Sequence, residues 1–346
     1  MKIIALENLF LAWQEFSKGK TKKQDVQQFA FSLEDHIFQL HRELKDKTYT
    51  HQPYYAFFVR DPKLRHIHKA TVRDRVLHHA LFRLLYPLWD RQFIFDSYSC
   101  CVGKGTHKGV LRLRNFIRKA TKNHTQLTYA LKCDIQKFFD SIGHDMLKAL
   151  VARRVQNTNV LWLIDQILDS FHTQDKESPP SPRLRKGVGI PLGNVISQLF
   201  ANIYLHELDH FVKHTVKAKY YLRYCDDFVI VHQDKKYLAE LSGIIQEFLQ
   251  HHLHLSLHPK KVTIRKTTQG VDFLGYVILP HYIVLRTKTK RRIYKKIQQK
   301  MKNLNEEFIS AEQYHQSVQS YLGVLKHCKG YKIKQSIIEI TKMKKL

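Results

Sequence analysis

The stretch that decides the fold is Tyr220-Tyr221-Leu222-Arg223-Tyr224-Cys225-Asp226-Asp227-Phe228-Val229-Ile230-Val231-His232. Apolar side chains alternate on both sides of two adjacent acids, and this pattern predicts two short strands, Tyr220–Tyr224 and residues 228–232, around a tight turn. A plain turn is one interpretation, because aspartate is common in turns. Two carboxylates held against an apolar hairpin repel each other, however, and this cost favours a bound cation at the tip.

Asp134 is the third acid of interest, because it ends a predicted strand over residues 127–134 in which apolar side chains also alternate. That strand end would lie beside the hairpin tip and complete, with Asp226 and Asp227, a site for hard cations that prefer oxygen ligands. Nucleotidyl transfer uses two such ions about 3.5–4 Å apart, one activating the attacking 3′-hydroxyl and one stabilising the leaving pyrophosphate. The residues therefore predict a pair of Mg²⁺ ions, for which Mn²⁺ can substitute.

The charge balance points to a polyanionic partner. The 346 residues include 58 Lys and Arg against 30 Asp and Glu, a formal net charge of +28, and charges of one sign on this scale repel unless a polyanion neutralises them. Basic residues are spread along the whole chain, and no apolar stretch approaches the roughly 20 residues that span a bilayer. Nucleic acid is therefore favoured over a membrane as the partner. Five cysteines without a Cys-x-x-Cys pair indicate neither a disulfide framework nor a zinc site, and a cytoplasmic protein is expected.

Seven sequence blocks occur in an order that resembles prokaryotic reverse transcriptases. The resemblance runs from about residue 60 to about residue 330. It implies an α+β fold of the right-hand polymerase type, with fingers, a palm whose antiparallel sheet carries the Tyr-x-Asp-Asp hairpin, and a helical thumb. It also implies RNA-directed DNA polymerase activity, with template RNA, RNA–DNA hybrid and dNTPs as ligands. The blocks are Arg73-Asp74-Arg75-Val76-Leu77-His78-His79-Ala80-Leu81, Ser97-Tyr98-Ser99 with Gly103-Lys104-Gly105-Thr106-His107-Lys108, Asp134 with Phe138-Phe139-Asp140-Ser141-Ile142, Gly189-Ile190-Pro191-Leu192-Gly193-Asn194-Val195-Ile196-Ser197-Gln198, Tyr224-Cys225-Asp226-Asp227, His258-Pro259-Lys260-Lys261, and Phe273-Leu274-Gly275-Tyr276.

Three regions follow from the resemblance. Residues 1–58 are expected to form an N-terminal helical extension, residues 59–280 the fingers and palm, and residues 281–346 a basic helical thumb. Within the fingers, residues 73–88 have helical periodicity, and the helix is predicted to stop near Pro87 because proline lacks the amide that a helix needs.

The resemblance places the metal ligands at the three aspartates named above and at the backbone carbonyl of Ile135. Lys261 falls where a general acid would protonate the leaving pyrophosphate. Its neighbour Lys260 competes for that role, and an ordinary surface lysine is the alternative interpretation.

Two kinds of side chain are implied at the incoming nucleotide. Arg73 and Arg75 fall in the fingers segment that contacts the triphosphate, a role that suits the bidentate geometry of arginine; a solvated helix face is the alternative. Phe139 falls at a steric gate, where its ring would crowd a ribose 2′-hydroxyl and favour deoxynucleotides. Phe138 competes for that role, and a core phenylalanine is the alternative.

The segment around Leu192 decides the subfamily. Leu192, Gly193 and Gln198 are assigned to the nucleotide pocket, although Gln198 could instead position the template strand or cap its helix. The block Gly193-Asn194-x-x-Ser197-Gln198 resembles the reverse transcriptases of diversity-generating retroelements. An aliphatic side chain at Leu192 cannot hydrogen-bond a nucleotide, which is compatible with the error-prone copying of template adenines known for those enzymes.

The C-terminal blocks are assigned to the primer and the duplex. The block Phe273-Leu274-Gly275-Tyr276 would hold the primer end, within residues 271–279 that are predicted to form a strand. Arg291 and Arg292 belong to a basic run that would follow a duplex backbone through phosphate contacts. The hybrid would then be recognised by its shape and not by its sequence.

Three functional hypotheses remain open from the sequence. The first is a diversity-generating retroelement enzyme, encoded by a prokaryote or a phage, that makes mutagenic cDNA from a template-repeat RNA together with a small, basic, pentameric accessory variability protein. The second is an antiphage defence or retron-like reverse transcriptase that makes cDNA for another purpose. The third is a catalytically silent RNA-binding scaffold, against which the presence of all three acids counts.

Overall fold

The computed structural model describes residues 3–60, 63–175 and 183–342. Helices and antiparallel strands both contribute, as expected for the α+β class, and no helix in these ranges is long and apolar enough to cross a membrane. The helices are α1 (Leu6–Ser17), α2 (Gln24–Phe31), α3 (Leu33–Lys45), α4 (Val72–Asp90), α5 (Thr106–Ala120), α6 (Phe138–Ser141), α7 (His144–Ala152), α8 (Thr158–Asp169), α9 (Val195–His210), α10 (Lys235–Leu253), α11 (Thr287–Asn305), α12 (Ala311–Leu325) and α13 (Tyr331–Lys342). The strands are β1 (Tyr55–Arg60), β2 (Leu64–Lys69), β3 (Tyr129–Asp134), β4 (Thr173–Asp175), β5 (Arg183–Arg185), β6 (Tyr220–Tyr224), β7 (Asp227–His232), β8 (Thr263–Lys266), β9 (Val271–Phe273), β10 (Tyr276–Ile278) and β11 (Ile283–Leu285).

A four-stranded antiparallel sheet in the order β6-β7-β3-β8 lies at the centre of the molecule. Both faces of this sheet are covered. Leu131 and Ile230 belong to the core formed with α7 to α10 and the N-terminal helices, whereas Leu222 and Val229 belong to a second core formed with α5 and the C-terminal elements. Burial on both faces explains why the central strands are apolar at nearly every position.

Helix α4 connects the N-terminal helices to the central region, since it packs against both α1 and α9. Thr71 caps its N-terminus, accepting a hydrogen bond from the amide of Asp74 at 3.3 Å. The prediction that this helix stops near Pro87 is wrong, because α4 continues through Pro87 to Asp90. The buried side chains of Tyr86 and Trp89 hold the last turn in the core, and this packing outweighs the one backbone hydrogen bond that proline cannot make.

Strands β1 and β2 form a separate antiparallel hairpin in which Phe57 pairs with Ile67. The predicted boundary at residue 58 cuts this hairpin, since β1 begins at Tyr55. The predicted boundary at residue 280 cuts a second small sheet, because β11 pairs with β10. Each of the two predicted boundaries therefore falls inside a hydrogen-bonded sheet.

The C-terminal region combines the small sheet β11-β10-β9 with helices α11 to α13. Residues 271–279 do not form the single strand that was predicted. They form a hairpin that turns at Leu274 and Gly275, both of which have positive φ (50° and 88°). Sequence alternation continues across such a tight turn, so it could not reveal the reversal of direction. The hydroxyl of Tyr276 donates to the carbonyl of Val324 at 3.1 Å and so joins the hairpin to α12.

Candidate active site

The β6–β7 hairpin presents two acids at its tip. Tyr224 pairs with Asp227, so Cys225 and Asp226 alone form the turn. Cys225 has φ of +55°, a conformation that two-residue hairpin turns commonly require but that residues other than glycine, asparagine and aspartate rarely adopt. Such local strain is often found at functional sites, where the surrounding structure enforces it.

A buried ionic network enforces this turn. Arg223 and Asp209 are fully buried and form a two-pronged ion pair, with Nε–Oδ1 and Nη2–Oδ2 distances of 2.8 and 2.6 Å. Tyr221 donates its hydroxyl proton to the same carboxylate at 2.6 Å. Nη1 of Arg223 donates to the carbonyl of Cys225 at 3.2 Å. The Arg223–Asp209 ion pair therefore fixes the position of the hairpin tip, and both of its members make further hydrogen bonds.

The structure brings Asp134 to the hairpin tip. In the register between β3 and β7, Asp134 lies directly opposite Asp227. The amide of Ile135 donates to the carbonyl of Asp226 at 3.1 Å, which holds the two chain segments together immediately beyond the strands. Three carboxylates from two distant parts of the sequence are thus neighbours in space.

These carboxylates carry more negative charge than the surrounding protein neutralises. Burial raises the pKa of Asp227 to about 6; Lys132 opposes this rise, and the charges of Asp134 and Asp226 add to it. Burial, followed by the charge of Asp134, also raises the pKa of Asp226. Lys132 lies 3.3 Å from Oδ2 of Asp227, and the Lys261 ammonium forms an ion pair with Asp134.

The carboxylate oxygens of the three aspartates are of the kind that divalent cations prefer. In this structure, however, they do not converge on one point. Oδ1 of Asp227 is buried and has no hydrogen-bond partner, and such an atom is costly unless a ligand satisfies it. In the described ranges, no group of three or more His, Cys, Asp or Glu side chains is arranged to hold a metal ion. The lysine pairs explain this, because Lys132 and Lys261 engage the carboxylates of Asp227 and Asp134 from two sides.

Lys261, rather than Lys260, is the lysine whose ammonium contacts Asp134. Its amide donates to the carbonyl of His258 at 2.9 Å, and the amide of His258 donates to the carbonyl of Asp134 at 2.7 Å. The loop that carries Lys261 is therefore tied to the strand that carries the acid.

Phe138 and Phe139 point in different directions. Phe138 is buried in the core, whereas Phe139 is half-buried and packs only at the core margin. The carbonyl of Phe139 accepts a hydrogen bond of 2.9 Å from the amide of Ile190, which fixes the short helix α6 against the segment that leads to Leu192. Of the two rings, only that of Phe139 is open to a nucleotide.

The segment around Leu192 is hydrogen-bonded to the β1–β2 hairpin. The carbonyl of Leu192 accepts from the amide of His68 at 3.0 Å. The Asn194 amide group donates to the carbonyl of His68 at 2.9 Å and accepts from the amide of Ala70 at 3.3 Å. Gly193 has φ of +111°, and a Cβ atom there would lie 2.9 Å from Cγ2 of Ile67. Sequence reasoning assigned no role to Asn194. In the structure its buried side chain holds the end of β2 through these two hydrogen bonds.

Gln198 is exposed on the first turns of α9. It lies one helical turn beyond Asn194, and its side chain makes no cap hydrogen bond among the described residues.

Arg73 and Arg75 are not brought to the carboxylates. Arg73 forms an ion pair with Glu43 and lies over the ring of Tyr49 at 4.9 Å. Arg75 contacts Asp25 at 2.6 Å. Both guanidinium groups lie in the first turn of α4, on the face that the N-terminal helices cover, and their acidic partners come from those helices. The predicted role of these two arginines at the triphosphate stays a prediction, and in this structure both guanidinium groups are paired with carboxylates of the N-terminal helices.

Arg65 is the cation of the β1–β2 hairpin that acts on the acids. It is exposed on β2. Burial raises the pKa of Asp226, and the charge of Arg65 opposes that rise less than the charge of Lys261 does. Sequence reasoning missed this residue. The signal available was a basic side chain on an extended segment just before the block that begins at Arg73.

The β9–β10 hairpin is connected to the site mainly by its contacts with Lys132 of β3. The carbonyl of Asp272 accepts from the Lys132 ammonium at 3.1 Å, and that ammonium lies 6.0 Å from the centre of the Phe273 ring. Phe273 and Tyr276 are buried, so only Leu274 and Gly275 at the turn are partly exposed. A cavity of about 220 Å³ separates this hairpin from the acids; it is lined by residues that include Lys132, Asp134, Lys261, Arg265 and Asp272.

Arg291 and Arg292 lie in the first half of α11. Arg291 is exposed and Arg292 is half-exposed. The structure therefore presents at least one of the two predicted phosphate-binding arginines to solvent.

Comparison with known proteins adds to this geometry. Residues 60–278 match the family described as reverse transcriptase (RNA-dependent DNA polymerase). The chain is 23% identical to Protein YkfC of Escherichia coli (strain K12) over 251 residues, covering 63% of this chain and 64% of that protein. It is 22% identical to the group II intron-encoded protein LtrA of Lactococcus lactis subsp. cremoris over 341 residues, covering 80% of this chain and 54% of that protein. The chain thus spans between half and two thirds of the length of these relatives.

Solved structures show the same fold. The apo telomerase from Candida tropicalis truncated from its C-terminal domain superposes with a TM-score of 0.50 at 11% identity, covering 71% of this chain and 59% of that one. The Candida tropicalis telomerase in complex with a fragment of telomeric RNA gives the same TM-score of 0.50 at 14% identity, covering 88% and 58% of the two chains.

Proposed function

The chain belongs to the reverse transcriptase (RNA-dependent DNA polymerase) family, and on that premise we propose that it synthesises DNA on an RNA template by two-metal nucleotidyl transfer. One observation supports this most strongly. Asp134 lies opposite Asp227 at the tip of a buried hairpin, and an oxygen of Asp227 has no partner. A scaffold that only binds RNA would gain nothing from three mutually repelling acids at one hairpin tip.

The three aspartates and the backbone carbonyl of Ile135 are the proposed ligands of two Mg²⁺ ions, with Mn²⁺ as a substitute. Such ions, when bound, activate the primer 3′-hydroxyl and stabilise the charge of the pyrophosphate. The chain itself supplies the positions of the carboxylates, through the Arg223–Asp209 pair, and a proton donor next to them. Lys261 is that donor, since its ammonium lies at Asp134 and can transfer a proton to the leaving pyrophosphate.

Substrate selection is proposed to depend on side chains that surround the acids. Phe139 crowds the 2′-position of an incoming nucleotide and so favours dNTPs. Arg65, whose charge acts on Asp226, is the proposed triphosphate contact of the β1–β2 hairpin in this state of the molecule. Leu192 and Gly193 form the remaining wall of the nucleotide pocket, and Gln198 faces the template. Arg73 and Arg75 contact the nucleotide only if their guanidinium groups leave Glu43 and Asp25 and bind phosphate instead.

The regions of the right-hand polymerase are proposed as follows. The β1–β2 hairpin and the adjoining helices serve as fingers, the central sheet serves as the palm, and the basic helices α11 to α13 serve as the thumb. Arg291 and Arg292 would contact the backbone of the RNA–DNA hybrid. The turn at Leu274 and Gly275 would hold the primer end, because Phe273 and Tyr276 are buried behind it.

A primer-extension assay tests the proposal. The wild-type protein should extend a DNA primer on an RNA template with dNTPs and Mg²⁺, and the variant that combines Asp226→Ala with Asp227→Ala should not extend it. Binding of the same labelled hybrid by both proteins serves as the control for folding. If the two proteins extend the primer equally, the polymerase assignment is lost.

A finer role is also proposed, that of a diversity-generating retroelement enzyme. The block Gly193-Asn194-x-x-Ser197-Gln198 and the aliphatic side chain of Leu192 support it. In that role the template is a template-repeat RNA, the copying is error-prone at adenines, and a basic, pentameric accessory variability protein is the partner. Sequencing the cDNA made on the RNA encoded beside this gene tests the role. Substitutions concentrated at template adenines support it, and uniform fidelity favours an antiphage defence or retron-like reverse transcriptase instead.

A further inference from the structure

A second cleft lies at the opposite end of the β6–β7 hairpin from the acids. It has a volume of about 350 Å³ and is bounded by the end of α5, the segment that precedes β6, and the strand that ends at His232. Cavities of this size are at the lower end of the range for ligand sites. No residue of this cleft was placed in the catalytic site above.

The charge of this cleft is of one sign. Four lysines line it, and none of its lining residues is acidic. Among the described residues, no ion pair engages any of the four lysines. All four are exposed at the rim. The lysines are Lys119, Lys122, Lys217 and Lys219.

The walls of the cleft are aromatic and held in place. Tyr220 packs against Phe116 with ring centres 5.4 Å apart, and Tyr237 packs against His232 with ring centres 4.4 Å apart. Gln233 donates to the carbonyl of Ala120 at 3.2 Å and to Gln126 at 2.7 Å, which joins the end of α5 to the end of β7. The cleft is therefore built by three chain segments that are fastened to one another.

We propose that this lysine cleft binds single-stranded RNA that lies outside the template–primer duplex. Four lysines that form no ion pair among the described residues match the phosphates of a backbone. The half-buried rings of Tyr220 and Tyr237 match the face of a base, and Lys219 already lies over the first of them, 5.5 Å from the ring centre. A base inside a duplex is stacked and paired, so it could not reach the tyrosine rings, whereas an unpaired base could. This inference rests on the proposed function, in which the catalytic cleft binds the hybrid; the lysine cleft would hold another part of the same RNA.

The test uses the full chain with the catalytic cleft occupied. Saturating unlabelled RNA–DNA hybrid with a chain-terminated primer is added first, and binding of a labelled single-stranded RNA is then measured at several salt concentrations. The cleft variant carries Lys119→Gln, Lys122→Gln, Lys217→Gln and Lys219→Gln. The matched control removes the same number of charges elsewhere with Lys22→Gln, Lys23→Gln, Lys45→Gln and Lys47→Gln.

The wild-type and control proteins should bind the labelled RNA similarly. The cleft variant should bind it at least about tenfold more weakly, with a salt slope that is smaller by about 2 to 3. A Tyr237→Ala variant should lose about fivefold or more for RNA and nothing for inorganic polyphosphate, which has no bases. Primer extension on a preformed hybrid should stay within about twofold of wild type in all variants, which shows that they fold.

Three results would overturn the proposal. The first is an equal loss in the cleft and control variants, which would mean that only total charge matters. The second is loss of hybrid binding with retention of single-strand binding, which would assign the cleft to duplex. The third is unchanged RNA binding with reduced binding to vesicles that contain anionic lipid, which would assign the cleft to a membrane surface.

Discussion

The two ends of the β6–β7 hairpin carry opposite excess charges. At the tip, three aspartates lie close together, burial raises the pKa of Asp227 to about 6, and two lysines only partly compensate. At the open end, roughly 13 Å away along β6 at the usual rise per residue, four lysines line a cleft without an acid. Each end has an electrostatic cost that a ligand of the opposite sign would remove. The tip suits cations, and the open end suits phosphates.

Between these ends, Arg223 of the hairpin forms a fully compensated charge pair with Asp209 of α9. Arg223 and Asp209 are buried, joined by two hydrogen bonds, and further satisfied by Tyr221 and the Cys225 carbonyl. The Arg223–Asp209 pair is an example of charges that stabilise the fold, whereas the aspartates at the tip and the lysines of the cleft are charges that a ligand would neutralise. A satisfied pair is expected to matter for stability and for the position of the tip, whereas an unsatisfied group is expected to matter for binding.

The largest expected effect is on the rate of DNA synthesis at the acidic end. Asp134→Asn should lower kcat for primer extension by about a thousandfold, because it removes a carboxylate that would hold the divalent cations at the reacting groups. The lysine-cleft variant should stay within about twofold of wild type on a preformed hybrid. Single-turnover extension measures both, and equal losses in the two variants would contradict the division of labour along the hairpin.

The next effect is on stability at the middle of the hairpin. Arg223→Met should reduce the free energy of unfolding by about 3–5 kcal/mol, since it leaves the Asp209 carboxylate buried and uncompensated. Adding Asp209→Leu should restore most of that loss, because two apolar side chains can replace a buried pair. The double variant should still extend primers slowly, as the Cys225 carbonyl has lost its donor. Urea unfolding and primer extension measure the two properties, and a double variant with wild-type kcat would show that the pair does not position the tip.

A smaller effect concerns the pH dependence of stability without metal ions. The pKa of Asp227 is raised in the folded state from its ordinary value of 3.8 to about 6, so the folded protein binds a proton more tightly than the unfolded chain. Stability from this group is therefore complete below about pH 4 and is lost as the pH rises through 6, by about 3 kcal/mol in total and by about 1–2 kcal/mol between pH 5 and pH 7.5. The Asp227→Asn variant should lack this loss, and Mg²⁺ should offset it in the wild type. Urea unfolding at pH 5 and pH 7.5, with and without Mg²⁺, tests this, and an identical pH slope in wild type and variant would refute it.

The smallest effect is expected from Lys132, which opposes the rise in the pKa of Asp227. Lys132→Met should raise the pKa of Asp227 further, so the acid limb of the pH–rate profile should move to higher pH. Lys148→Met, which removes a lysine paired with Asp165 on the surface, is a matched control that should leave the profile unchanged. A profile that moves equally in both variants would mean that Lys132 has no specific effect on the tip.

Local pattern identified the catalytic end because its signals are local. The hairpin and the strand that ends at Asp134 alternate over several residues, and the acids lie where the alternation stops. The partners of Arg73 and Arg75 could not be found in this way, because Glu43 and Asp25 lie 30 and 50 residues earlier and only tertiary packing brings them close.

Other features were hidden for related reasons. Pro87 remains inside α4 because buried neighbours hold the last turn, and helix propensity contains no information on such packing. The structural role of Asn194 was hidden because its hydrogen-bond partners are backbone atoms of His68 and Ala70, at the end of β2. A sequence does not show such backbone contacts. The cleft lysines come from the ends of α5 and the segment before β6, so their convergence follows from topology and not from any run of basic residues.

The most direct test of the account is to count bound ions. Electron paramagnetic resonance of Mn²⁺ should be recorded for the protein bound to an RNA–DNA hybrid with a chain-terminated primer and the next dNTP. Wild-type protein should bind two Mn²⁺ ions per molecule that the Asp226→Asn plus Asp227→Asn variant does not bind, while both proteins hold the hybrid. Equal numbers of bound Mn²⁺ in the two proteins would show that these aspartates do not form the metal site.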